Sequence, residues 1–299
     1  MKVGYIGLGH MGGALAARLQ LSQPLFVFDL RAANIEALTR LGATACQSNR
    51  EVGEKSDIVL LSLQTSEQVR EVIFGKDGLR EGLARGTMII DQTTGDANAT
   101  RQMAKELETD GIELIDGPVS GGPPGAAAGT IAIMVGGTEV QFARAEPVLR
   151  MISSNVVHTG VLGTGQVIKL ANNLLNAAQR LLTFEVMCLA VKNGATPQKT
   201  WEVMVKSSGR NFMLEHTFPK HILTGELAQG FTLGLMHKDV RLAQDLAAAS
   251  DVPMFFGSTV LALYRDLANE FGRDGEVNLG VKLFERLSGA TITPPGAHG

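Results

Sequence analysis

An α/β domain built on a mostly parallel sheet, followed by an all-α domain, is the fold class this sequence predicts. Three observations carry it. Up to about residue 160 short apolar, β-rich runs alternate with helical patterns; beyond that almost every segment keeps helical spacing; and one unbroken helical pattern, Gly165 to Lys192, joins the two regimes. Short buried strands separated by amphipathic helices are the signature of βαβ units. A chain of 299 residues has room for two domains of ordinary size.

Taken in order, Val3 to Ile6 is the first strand, and it runs straight into Gly7-Leu8-Gly9-His10-Met11-Gly12, with no charged-then-apolar leader before it. Met11, Leu15 and Leu19 then lie four apart on one face of a helix. Leu25 to Asp29, Asp57 to Leu63, Met88 to Asp91 and Ile112 to Asp116 read as further strands, with helices between them. The run Gly117-Pro-Val-Ser-Gly-Gly-Pro-Pro-Gly125 reads as an exposed loop, because no regular element accommodates so many glycines and prolines. Thr130 to Val135 and Asn155 to Thr159 flank one more helix and close a first domain over 1–162.

From Gly165 to Lys192 there is no proline and no internal glycine, and Ile168, Ala171, Leu175, Ala178, Leu182, Val186 and Leu189 keep helical spacing. At ~1.5 Å per residue this helix is roughly 40 Å long, enough to leave one domain and form the spine of the next. Asn193-Gly194 supplies its C-cap, and Thr196-Pro197 the cap and first position of a new helix. Helical patterns at Trp201 to Lys206, Leu233 to Ser250, Pro253 to Phe271 and Leu279 to Ser288 complete an all-α domain over 163–290. The Pro- and Gly-rich residues 291–299 read as a flexible tail.

Bulk composition excludes several function classes. The chain is 44% hydrophobic and 19% charged, which is ordinary for a folded protein. A net charge of −3 and the lack of any long like-charge run argue against nucleic acid or an anionic membrane surface as partner. No apolar run is read as long enough to span a bilayer. The two cysteines, Cys46 and Cys188, sit in apolar surroundings without metal-like spacing. That speaks against a zinc site and a disulfide framework, and a reducing cytoplasm is the expected location.

Chemistry enters at the glycine run. A Gly-x-Gly-x-x-Gly that follows a strand and opens a helix permits a tight turn, a close approach of backbone to a pyrophosphate, and close packing of helix on strand. A plain turn-forming glycine cluster is the bland alternative. Asp29 weighs against it: it ends the second strand 17 residues after Gly12, where an acid receives the adenosine ribose hydroxyls. The cofactor-binding set is therefore Gly7, Leu8, Gly9, His10, Met11, Gly12 and Asp29. A carboxylate there repels the 2′-phosphate of NADP, so NAD is favoured, with NADP left open because Arg31 follows two residues on.

A second constellation suits a carboxylate. Ser120, Gly121 and Gly122 offer a hydroxyl and consecutive unhindered amides. Along the long helix, Lys169, Asn173, Asn176 and Arg180 follow at i, i+4, i+7 and i+11, a polar stripe with no acid in it. A structural turn and a solvated helix face would look the same. Lysine over a nicotinamide is chemically apt, since its ammonium gives a proton to a carbonyl oxygen as hydride arrives and its amine takes one back. For that role its pKa must fall from about 10.4 through desolvation or a nearby cation.

Nearly end to end, the sequence resembles the β-hydroxyacid dehydrogenases, the family of 3-hydroxyisobutyrate dehydrogenase, tartronate semialdehyde reductase and the glyoxylate and succinic-semialdehyde reductases. The likeness rests on Gly-Leu-Gly-His-Met-Gly at 7–12, Asp116-Gly-Pro-Val-Ser-Gly-Gly, Gly163-Thr-Gly-Gln-Val-Ile-Lys-Leu-Ala-Asn-Asn, and Lys238-Asp239-Val240-Arg241-Leu242-Ala243. It implies a Rossmann-like domain ahead of the α domain, and an active site where the two meet. Lys169 would be the acid/base, Asn173 would orient the substrate hydroxyl, and Ser120, Gly121 and Gly122 would hold the substrate carboxylate. Lys238 would lie beside cofactor and substrate, and Leu63 and Thr94 beside the cofactor. On spacing alone, Lys238 and Thr94 would read as a surface lysine and a loop threonine.

Two positions depart from the family pattern: Gln64 and Ala97 stand where similar enzymes usually carry proline, in loops on the cofactor side. Arg210, in Ser207-Ser-Gly-Arg-Asn-Phe212, could read a second substrate charge or simply face solvent. The resemblance implies oxidation of a small 3-hydroxy acid, or the reverse reduction, in a homodimer or homotetramer. An imine reductase shares the fold but usually lacks the lysine, and a non-catalytic scaffold member would want a basic extension or lost site residues.

Overall fold

Every residue of Val3–Ile6 (β1) is buried, as a parallel strand covered on both faces requires. In the computed structural model, which describes residues 1–298, β1 lies between Leu25–Phe28 (β2) and Ile58–Leu61 (β4), and the short Thr44–Ala45 (β3) extends the sheet beyond β2. Met88–Asp91 (β5) and Glu113–Asp116 (β6) continue it in parallel on the other side. Val119–Ser120 (β7) and Ala132–Gly136 (β8) pair antiparallel, and β8 also pairs antiparallel with β6. Val156–Gly160 (β9) then runs parallel to β8. The order β3-β2-β1-β4-β5-β6 reverses direction at β1, creating the crevice where ligands bind in open α/β sheets.

Helices cover both faces: His10–Gln20 (α1), Ala32–Thr39 (α2), Asn49–Glu54 (α3), Ser66–Phe74 (α4), Leu79–Gly82 (α5), Ala97–Glu108 (α6), Gly122–Ala128 (α7) and Glu139–Ile152 (α8). The two-residue alternation of the strands sorts their side chains into two cores. Val3, Tyr5, Leu60 and Ile90 pack with Leu15 and Leu19 of α1 and Val148 and Leu149 of α8. Ile6, Val59, Leu61 and Ile89 pack on the other face with Val69 and Ile73 of α4 and Met103 and Leu107 of α6.

The chain divides into two units, Met1–Lys169 and Leu170 onward. The boundary falls inside Thr164–Lys192 (α9), later than the expected 162/163, because the first turns of α9 are hydrogen-bonded to the sheet domain. Its end is as expected: Gly194 takes φ +95°, and Thr196 caps Pro197–Met204 (α10) by accepting the Lys199 N–H. Leu233–Ala249 (α11), Phe255–Phe271 (α12) and Gly280–Ser288 (α13) match the helical patterns, with a 3₁₀ turn Val277–Leu279 before the last. A π-helix over Met213–Ile222 was not expected; it contains Pro219, which breaks ordinary helical spacing.

Three expectations are corrected. Gly117–Gly125 is not simply an exposed loop: Gly117, Pro118 and Val119 are buried, and β7 and α7 start within it. Pro123 and Pro124 are accommodated in the first turn of α7, where a missing N–H costs nothing. Residues 291–298 are docked rather than free, since Ile292 is buried in the core of the second unit and its N–H, with that of Thr293, donates to Glu285; Gly299 lies outside the described residues. Finally, α9 is apolar and long enough to cross a membrane by length and composition. Two of its polar residues are hydrogen-bonded within the protein, Asn173 to Asp239 and Arg180 to Asn278.

The buried side of α9 carries polar residues beside apolar ones such as Leu170, Ala177, Leu181 and Phe184. Lys169, Asn173 and Arg180 of the polar stripe are buried, whereas Ile168, Leu175, Leu182 and Leu189 of the apolar stripe are exposed.

Candidate active site

Five parallel strands deliver their C-terminal ends to one edge, in register: Ile6 lies beside Phe28 and Leu61, Leu61 beside Asp91, and Asp91 beside Asp116. The residues just past those ends are Gly7, Asp29, Leu63, Gln92 to Thr94, and Gly117. The sequence-derived positions of the first unit, spread over more than 100 residues of chain, are thus gathered by the topology.

In the glycine run, a side chain at Gly12 would collide with the Gly7 carbonyl, so α1 packs directly on the turn after β1. A side chain at Gly9 would meet nothing and point into open space. Gly9 is the N-cap of α1, no side chain caps that helix, and no acid occupies its first turn. Such a cradle would suit an anionic pyrophosphate, which backbone N–H groups at the positive end of a helix dipole would hold. Asp29 closes the cradle, its Oδ2 accepting the Leu8 N–H at 2.6 Å. These residues fit a dinucleotide.

The β4 and β5 ends are joined by Leu63, whose N–H donates to Thr93 Oγ1 at 3.0 Å. Thr93 in turn donates its own N–H to Asp91 Oδ1 at 2.9 Å. Gln166, wholly buried in the first turn of α9, donates through Nε2 to the Thr93 carbonyl at 2.7 Å and accepts the Gly95 N–H at 2.9 Å. The start of α9 is fastened to β6 as well: Asp116, with no exposed surface, accepts the N–H groups of Gly163 at 2.6 Å and Gln166 at 2.8 Å. Burial pushes the Asp116 carboxyl above its ordinary range, and the backbone donors pull it back. One turn beyond Gln166, Lys169 is buried, with 8% of its surface exposed.

In the second unit, Asn173 Nδ2 donates to Asp239 Oδ2 at 2.6 Å, and Lys238 Nζ lies 3.1 Å from Asp239 Oδ1. Lys238 is therefore no surface lysine; its side chain is only 12% exposed. Asp239 is a residue that spacing alone did not single out, although it follows Lys238 in the motif. Gln166 and Asp116 likewise carry no local signal of their role, although each lies inside a segment on which the family resemblance rests. Arg180 is committed elsewhere, bonded to Asn278 within this unit, and burial lowers its pKa. Arg210 is exposed.

Residues 2–160 match the family described as the NAD binding domain of 6-phosphogluconate dehydrogenase. Residues 163–284 match the NAD-binding domain family of NADP-dependent 3-hydroxyisobutyrate dehydrogenase. The chain is 35% identical to 2-(hydroxymethyl)glutarate dehydrogenase of Eubacterium barkeri, over 98% of each chain. It is also 35% identical to NAD-dependent L-serine dehydrogenase of Pseudomonas aeruginosa, over 96% of this chain and 99% of that one. Among solved structures, Mycobacterium tuberculosis 3-hydroxyisobutyrate dehydrogenase with L-serine superposes with a TM-score of 0.84 at 30% identity, covering 94% of this chain and 98% of that one. An imine reductase from Myxococcus stipitatus reaches a TM-score of 0.61 at 20% identity over 94% of this chain and 99% of that one, a likeness of fold alone. With both halves of the chain matched and relatives 35% identical over nearly its whole length, the protein belongs to the β-hydroxyacid dehydrogenase family and is an NAD(P)-dependent dehydrogenase.

Proposed function

We propose that the enzyme interconverts a small 3-hydroxy acid and its semialdehyde or keto form, with NAD preferred and Lys169 as the acid/base. The observation that carries this reading is the placing of Lys169: buried, one turn past Gln166, on a helix whose start is fastened to the ends of β5 and β6. Bound NAD supplies the hydride acceptor. In oxidation the neutral amine of Lys169 takes the hydroxyl proton while the carbinol carbon gives up hydride, so that the C–O single bond becomes a carbonyl; reduction reverses both transfers. Ser120, Gly121 and Gly122 hold the substrate carboxylate through hydroxyl and amide donors. Asn173 orients the hydroxyl, its own amide being oriented by Asp239, and Lys238 lies beside cofactor and substrate. Leu63 and Thr94 line the nicotinamide side.

The relatives named above act on different acids, including L-serine and a branched dicarboxylate, so the substrate is assigned here only as a class. A screen of NAD reduction across 3-hydroxyisobutyrate, glycerate, threonate, 4-hydroxybutyrate and serine tests it. Turnover of a 3-hydroxy acid such as 3-hydroxyisobutyrate is expected, and turnover of none of them contradicts the reading. Both cysteines are free and buried, which suits a cytoplasmic enzyme.

The same reading makes the enzyme a homo-oligomer whose second copy covers the exposed stripe of α9. Ile168, Leu175, Leu182 and Leu189 recur every seven residues and read the same in both directions about a point between Ala178 and Gln179. An antiparallel copy therefore sets Leu175 against Leu182 and Ile168 against Leu189, as a twofold interface requires.

A further inference from the structure

We propose that Gln166 is a positioning residue that locks the turn carrying Thr94 to the helix carrying Lys169, and so sets the geometry of hydride and proton transfer. The inference rests on the reading of Lys169 as proton carrier and Thr94 as a cofactor contact. Its observation is separate: the two ends of one side-chain amide grip the backbone on either side of Thr94, at Thr93 O (2.7 Å) and Gly95 N (2.9 Å).

The donor and acceptor ends of Gln166 are fixed by these partners, because a reversed amide would set oxygen against carbonyl and NH₂ against N–H. Its main chain is held independently, the N–H donating to Asp116 at the end of β6. Thr93 extends the lock to the end of β4 by accepting the Leu63 N–H. Lys169 follows three residues later, a neighbour on the helix surface. Gln166 thus connects the exits of three adjacent strands to the turn of helix that presents the lysine. Since the side chain is wholly buried, a variant that lacks these bonds leaves the Thr93 carbonyl and the Gly95 N–H without this protein partner. A reacting pair displaced by about 1 Å loses on the order of 10²-fold in rate.

The test compares Gln166→Met, similar in length but without the amide, with the native enzyme, using NAD and whichever of 3-hydroxyisobutyrate or L-serine the native enzyme oxidises. The variant should lose about 10- to 100-fold in kcat. Its Kd for NAD, measured by fluorescence titration, and its KM for the acid should stay within roughly threefold, since the Gly7 to Gly12 and Ser120 to Gly122 turns proposed to supply most of the binding are unaltered. The deuterium isotope effect on the carbinol C–H should rise, because hydride transfer becomes slower than product release. Gln166→Asn, one methylene short of spanning both partners, should behave alike. In the native protein the Gly95 amide should be protected from hydrogen exchange, a readout that needs no variant.

A kcat within threefold of native, a fall in NAD affinity as large as the fall in kcat, or a Gly95 amide that exchanges like an open loop would each overturn the inference. Lys169→Ala separates the two claims. An inactive Lys169→Ala beside a native-like Gln166→Met refutes the positioning role alone. An active Lys169→Ala refutes the acid/base reading, while the Gly95 exchange rate still reports on the clamp.

Discussion

Leu8 and Asp29 are joined across the cofactor cradle: the backbone N–H of Leu8 donates to Asp29 Oδ2 over 2.6 Å. The other carboxylate oxygen accepts the Arg31 N–H at 2.8 Å and Asn34 Nδ2 at 3.1 Å. The acid is therefore held in place at the strand end, and a phosphate on the ribose would meet its negative charge. Native enzyme should show a higher kcat/KM with NAD than with NADP. Asp29→Asn should narrow that ratio by about tenfold, a change of ~1.4 kcal/mol in discrimination. Equal or better use of NADP by the native protein contradicts the assignment.

The turn proposed to bind the substrate carboxylate is best tested at Ser120. Gly122 has φ +65° and Gly121 φ +138°, where any L side chain is strained, so replacing either would disturb the backbone as well as the site. Ser120→Ala removes one hydroxyl donor from β7 and leaves the backbone alone. It should raise KM for the hydroxy acid by roughly 10- to 150-fold, the value of one hydrogen bond to a charged group, and leave the Kd for NAD within about twofold. An unchanged KM would take the hydroxyl out of the site.

The exposed stripe of α9 gives a prediction about assembly. Leu175 and Leu182 are 60% and 58% exposed in the single chain. A charge at position 182 is repeated by the twofold, and each copy is buried without a partner against the other chain's apolar Leu175. Native protein should run as a dimer or larger in analytical ultracentrifugation, and Leu182→Arg should shift it toward monomer with little loss of helicity. A monomeric native protein, or an unaltered assembly in the variant, contradicts the seam.

Strand and helix periodicities made the sheet domain legible because its strands are buried and its glycine turn has one strong local signature. Lys238 was legible only through the family motif, since a lysine on a helix carries no local sign that it is buried beside Asp239. The clamp was hidden for a related reason. Asp116, Gln166 and Thr93 are brought together by strand order, and nothing within three or four residues of each announces a partner some 50 to 70 residues away. The docking of residues 291–298 was hidden because Glu285, which receives the N–H groups of Ile292 and Thr293, lies inside an ordinary amphipathic helix.

Lys169→Ala tests the central claim most directly. The side chain is buried and one turn beyond the clamped start of α9, and the account makes it the group that moves the proton. Loss of a general acid/base typically costs about 10²- to 10⁴-fold, so kcat should fall by that order with any hydroxy acid the native enzyme oxidises. The Kd for NAD should hardly change, because the pyrophosphate is assigned to the Gly7 to Gly12 turn. Native oxidation should quicken with rising pH as more of the amine becomes neutral, and the variant should lose that rise. A variant that keeps more than about a tenth of native kcat would contradict the account, and Lys238 would become the first group to test as the proton carrier.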